Sequence, residues 1–295
     1  MFNLRKFFSS EDHITETLRL LSTNNIKQLE DIRIFGHFKY PDYTKIFQKD
    51  PDGVEIQFSN FEEEQAYARG KISSDDMWKY KINRYNFRDD WDFSETNAPK
   101  IACFGDSFTF GDGVRSEHTY VNLLGELLGS RTYNVGKGGS CVERVTRTFS
   151  AFTRFVDIDV AVITLPHIHR EFFIDEHGFA VDLIPNIDSN NYHFKYMKPF
   201  FSLHDNYQLT KLSLLVNYIL EIAEHRNIKV LFTTWDMPTH DLLMKTVREH
   251  TMEKIFPNDI DVKKARDLGH PGKMAHVRHA ENIQKELYDR SWIQR

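Results

Sequence analysis

Lys100-Ile-Ala-Cys-Phe-Gly-Asp-Ser-Phe-Thr109 is the stretch on which the fold turns. Ile101 to Phe104 is an unbroken apolar run, which marks a strand buried on both faces. Gly105 then permits a sharp turn, and Asp106 and Ser107 are residue types that cap a following helix. The same change of period recurs downstream. Residues 119–128 show helical spacing (Val121, Leu124, Leu127, Leu128) and stop at Gly129. Residues 133–135 form a short strand, followed by Gly136, Gly138 and Gly139 and a helix over 140–152. Asp159 to Leu165 is a further apolar strand, halted by Pro166. Residues 172–181 read as a hairpin turning at His177-Gly178. A helix over 209–226, a strand over 228–234 and a helix over 274–288 complete the alternation. Buried strands alternating with helices predict an α/β fold with a central parallel sheet covered on both faces. Its ligand crevice is expected beyond the carboxyl ends of the strands.

Working outward, residues 1–98 are rich in Phe, Tyr, Asp and Lys and have weak apolar periodicity. They are expected to be an N-terminal extension packed on the core domain of residues 99–295. Within it, residues 11–21 suit a helix capped by Ser10, and Pro51-Asp52-Gly53 suits a turn. The 295-residue chain carries 38 basic and 43 acidic side chains, a net charge of −5, which argues against a general nucleic-acid binder. No apolar run has the length of a membrane span. Glu11 and Asp12 interrupt any secretory segment, so a cytoplasmic location is expected. The two cysteines, Cys103 and Cys141, cannot make a disulfide framework and read as small core residues.

Three sequence elements carry chemistry. Ser107 leaves a strand on a tight turn, where a nucleophile and the amide groups of an oxyanion hole can coexist. Asp267-Leu-Gly-His270-Pro271 lies just ahead of the last helix. A carboxylate three residues before an imidazole can fix its Nδ1 and leave Nε2 as a general base. Asn134-Val-Gly-Lys-Gly-Gly139-Ser140 allows close backbone approach to a substrate. It lacks the spacing of a phosphate loop or a dinucleotide fingerprint. Each element alone also fits an ordinary capped turn, a loop ion pair or a positive-φ turn.

Together, in the order Ser, Gly, Asp, His, they resemble the SGNH hydrolases, the GDSL esterase/lipase superfamily, over about residues 83–290. Gly105-Asp106-Ser107-Phe108-Thr109 is similar to the family's first block, Gly139 to the glycine of the second, and Asp267-x-x-His270-Pro271 to the last. Ile82-Asn83-x-x-Asn86-Phe87-Arg88 resembles the arm that precedes the first block. The resemblance implies a flavodoxin-like three-layer α/β/α sandwich. It also implies a Ser107–His270–Asp267 triad, an acyl-serine intermediate and an oxyanion hole built on the amides of Ser107 and Gly139. No cofactor or metal is implied. One block departs: the family's Gly-x-Asn-Asp is here Pro166-His167-Ile168-His169-Arg170, with no Asn. His167, His169 or Arg170 can supply the missing donor, and a His-x-His metal pair is the rival reading.

The 24 Phe, 12 Tyr and 4 Trp leave aromatics to spare for a binding wall. Asp106, Trp235 and Asp236 are expected to border the substrate, and Tyr192, His193, Phe194 and Tyr196 to form a lid or binding wall. The expected substrate is a small O-acyl, first of all acetyl, ester on a carbohydrate or another small molecule. A lipase, a thioesterase, an acyltransferase or a catalytically impaired glycan-binding module are the alternatives.

Overall fold

The computed structural model describes residues 26–36, 42–46, 77–174, 180–183, 205–256 and 270–294. The helix expected over 11–21, the turn at 51–53, the lid at 192–196 and Asp267 lie outside the described residues. In chain order, β1 (Asp42–Ile46) pairs antiparallel with β2 (Met77–Lys81), a pairing the sequence did not announce. Then follow β3 (Lys100–Gly105), α1 (Ser107–Phe110), α2 (Tyr120–Leu128), β4 (Arg131–Gly136) and α3 (Val142–Phe152). β5 (Val160–Leu165) leads into an antiparallel pair, β6 (Glu171–Ile174) and β7 (Ala180–Leu183). The chain then forms α4 (Asp205–His225), β8 (Lys229–Thr234), α5 (Met237–Thr246) and α6 (Lys273–Asp289).

β4, β3, β5 and β8 form one parallel sheet in that order. The chain leaves β3 for β4 on one side and then crosses to β5 on the other. This reversal opens a crevice at the carboxyl ends of β3 and β5. Strand alternation sorts the core into two layers. Ala102, Phe104, Ala161, Ile163, Val230 and Phe232 face α3 and α4. Ile101, Cys103, Val160, Val162 and Leu231 face α2 and α6. Every residue of β5 is buried, and each large apolar side chain so buried contributes roughly 1.5–3 kcal/mol. The expected α/β class and central parallel sheet are therefore present.

The described parts of residues 1–98 rest on this body. A 3-10 turn, Leu29–Phe35, lays Ile32, Ile34 and Phe35 on the face covered by α3. Tyr85, Phe87 and Trp91 pack into the same cluster, with Trp91 edge-on to Phe152. Arg144, buried on α3, donates to the carbonyl of Ile34 at 3.4 Å.

Candidate active site

The site begins where β3 ends. Gly105 was expected to supply a sharp turn. It has no positive φ; a Cβ there would run into the Thr109 hydroxyl and the Thr164 carbonyl instead. The glycine is needed for close packing between β3, β5 and α1. Asp106 then caps α1: its Oδ1 accepts the Phe108 amide at 3.0 Å. Its Oδ2 accepts Arg170 Nη1 at 2.6 Å and Trp235 Nε1 at 3.2 Å. Asp106 is 0% exposed, and this carboxylate ties together the groups around it.

α1 is only four residues long, so most of its carbonyls lack helical partners. Side chains from elsewhere take them up. Asn134 donates to the Thr109 carbonyl at 3.1 Å. Arg88 donates through Nη1 to the carbonyls of Phe110 and Gly111, and through Nη2 to that of Val114, at 2.6–2.9 Å. A cation at the carboxyl end of the short helix also suits its dipole. Neither role was legible in the sequence, although both residues lay in motifs that had been singled out.

Ser107 is thereby held at the first helical position, 4% exposed. Among the described residues its hydroxyl makes no hydrogen bond, the one expected with His270 included. The His270 ring lies edge-on to Phe108, the residue after Ser107, with centroids 5.9 Å apart. Phe108 also stacks on Trp235 at 5.0 Å. Ser107, Phe108, Trp235 and His270 therefore converge on one end of the sheet. Such contacts are commonly long before a substrate binds.

At the end of β4, the Ser140 amide closes a turn onto the Lys137 carbonyl at 3.2 Å. Gly139 occupies its third position with φ of +81°, and Gly138 has no positive φ. This is the type II turn, which favours glycine at that position. Among the described residues the amides of Ser107 and Gly139 find no acceptor. Two unspent donors thus flank the crevice.

The segment after β5 is committed differently from its expected roles. His167 Nδ1 accepts the His169 amide at 3.2 Å, so the neutral ring carries its proton on Nε2. That Nε2 lies 3.5 Å from Asp236 Oδ1. Both nitrogens of His167 face protein groups, which leaves it poorly suited to an oxyanion. Burial holds its pKa below the ordinary imidazole value, against the pull of Asp236. Asp236 also caps α5, accepting the Thr239 amide at 3.0 Å and its hydroxyl at 2.5 Å. It is buried. Arg170 spends Nη1 on Asp106 and on the Ser140 carbonyl at 3.1 Å. Trp235 remains half-buried at the site's edge.

His167 and His169 also line a pocket of about 420 Å³, with Ile168, Leu209 and Leu242 among its apolar walls and Asp241 and Lys245 at its rim. Among the described residues no three His, Cys, Asp or Glu side chains gather as a metal site. No helix of the described residues is long and apolar enough to cross a membrane.

No family model matches the chain, and no curated protein sequence matches it. Solved structures do. Among the solved structures that resemble this chain are GDSL lipolytic proteins and carbohydrate esterases. An acetyl xylan esterase from Butyrivibrio proteoclasticus is 12% identical, with a TM-score of 0.47, covering 68% of this chain and 66% of that one. A family two carbohydrate esterase from Clostridium thermocellum is 16% identical, with a TM-score of 0.45, covering 68% and 67%. A member of the lipolytic G-D-S-L family from Veillonella parvula is 15% identical, with a TM-score of 0.40, covering 64% and 97%.

Proposed function

We propose that this chain is a serine ester hydrolase of the SGNH type, with Ser107 as nucleophile. One observation carries the reading. Ser107 stands at the switch point of a parallel sheet with its hydroxyl unbonded, and among the described residues its amide and that of Gly139 are without acceptors. Ser107 is buried and Gly139 half-buried, and an unspent pair of amides beside a hydroxyl suits a developing oxyanion.

In the proposed reaction Ser107 Oγ attacks the ester carbonyl while His270 takes its proton. The carbonyl oxygen gains negative charge between the two amides. Collapse of the tetrahedral adduct breaks the bond to the alcohol, which leaves with the proton from His270. His270 then takes a proton from the water that attacks the acyl-serine, and as this second adduct breaks its bond to Ser107 Oγ, releasing the acid, His270 passes that proton to Oγ. Asp267 is proposed to orient His270. The near-complete burial of Ser107 favours a small acyl group over a long chain. A small O-acyl group on a carbohydrate is our first choice, with the amphipathic pocket beside His167 and His169 suited to the sugar. The protein is proposed to work in the cytoplasm.

The test compares wild type and Ser107→Ala on a short-chain aryl acetate, with a serine-reactive phosphonate and peptide mass mapping. Turnover lost in the variant and label on Ser107 are expected. A folded wild type that neither turns over nor takes label at Ser107 overturns the reading.

A further inference from the structure

We infer that Arg170 is a positioning residue that sets the spacing of the two oxyanion amides; this rests on the hydrolase reading above. Arg170 Nη1 donates to Asp106 Oδ2 at 2.6 Å and to the Ser140 carbonyl at 3.1 Å. Asp106 directly precedes Ser107, and Ser140 directly follows Gly139. A single donor thus ties together the neighbours of both unspent amides, which belong to the ends of two different strands, β3 and β4.

The surroundings make this tie stiff. Asp106 is 0% exposed and Arg170 8% exposed, so water screens the pair little. The Arg170 guanidinium carbon lies 5.5 Å from the centre of the Trp235 ring. Trp235 in turn donates to the same Asp106 oxygen. Arg170 therefore lies on an aromatic plane anchored to the group it binds, a geometry a lysine ammonium reproduces only in part. Its own turn is closed by its amide on the His167 carbonyl at 3.1 Å, which fixes the base of the side chain to the end of β5. Arg170 lies in the segment where the resemblance calls for an Asn side chain that donates to the oxyanion. Here the segment braces the two backbone donors instead.

The experiment uses the full chain and three measurements: unfolding, steady-state kinetics on an aryl acetate, and the rate of phosphonate labelling at Ser107. Misplacing donors by about an ångström costs on the order of 10²-fold in rate. Folded Arg170→Ala is expected to lose about that much in kcat and in labelling rate, with KM changed less than about threefold. Arg170→Lys is expected to recover roughly tenfold of the loss, since it keeps the charge on Asp106. Wild-type labelling with an equally fast folded Arg170→Ala overturns the positioning role, as does a change confined to KM. If Arg170→Ala does not fold, Arg170→Lys decides: wild-type kcat and labelling in that variant overturn the role of the planar, stacked guanidinium. Failure of the wild type itself to label at Ser107 overturns the hydrolase reading, and this inference with it.

Discussion

Arg88 illustrates how much of this site rests on single buried side chains. It is 1% exposed and gives its guanidinium to two carbonyls at the end of α1 and to that of Val114 in the following turn. It also lies over the rings of Tyr80 and Phe110, at 4.5 and 5.2 Å. Truncation leaves the Val114 carbonyl without a described donor, while the Phe110 carbonyl keeps Asn134 at 3.5 Å and the Gly111 carbonyl keeps the Val114 amide at 3.3 Å; a buried group left unpaired costs roughly 1–3 kcal/mol. Arg88→Ala is therefore expected to lower unfolding stability by roughly 1–3 kcal/mol, measured by urea denaturation, and to slow Ser107 labelling. A loss under about 1 kcal/mol sinks this account. The sequence placed Arg88 in an arm before Ser107, yet nothing in its pattern told which carbonyls it would reach. Gly105 shows the complementary case. Its importance was legible from the motif, but its reason was not, because the obstructing Thr109 and Thr164 atoms belong to other elements.

At the scale of elements, the short helices were the hardest to anticipate. α5 begins with Asp236 capping Thr239 and with Pro238 in its first turn, a start signal that local rules contain. At a strand end the same Trp235-Asp236 pair also fits a substrate role, so local rules alone do not choose between them. Asp236 joins two functions, since it also faces His167. Asp236→Asn keeps a good capping side chain but removes the charge that raises the His167 pKa. The already depressed His167 pKa is expected to fall further, followed by NMR titration of the imidazole, while the unfolding midpoint changes little. A His167 pKa that stays put or rises in the variant contradicts the pairing. The longer elements were legible because their periodicity suffices. The helix expected to end at Gly129 does so, with that glycine at φ of +56°.

At the scale of the whole molecule, α6 buries two imidazoles between the sheet and α2. His276 and His279 are both 0% exposed. His276 Nδ1 accepts the Tyr120 amide at 3.1 Å, and His279 packs on Phe256 and Tyr120 at 4.1 and 4.8 Å. Neither imidazole has a carboxylate among its described partners; the charged or titratable neighbours of His276 are Arg88, His270 and His118. Burial pushes His276 down to about 3 and His279 well below its ordinary value. The unfolded chain binds protons below about pH 6.5 that the fold refuses. Stability is therefore full above that pH and declines as the solution becomes more acid, by ~1.4 kcal/mol per pH unit for each group. His279→Leu is expected to flatten the fall in urea midpoint between pH 7 and pH 5. An unchanged slope contradicts the assignment.

Apolar runs, helical spacing and capping residues act within a few neighbours, so the chain by itself determined the α/β alternation. They also place the longer elements to within a few residues, and Ser107 at a strand end. Which distant groups satisfy the buried polar atoms depends on side chains far apart in sequence. Asp106 with Arg170 and Trp235, Arg88 with the end of α1, and His167 with Asp236 meet only because the order β4-β3-β5-β8 gathers those strand ends. A buried charge must find a partner wherever the fold provides one, and only the tertiary structure decided which.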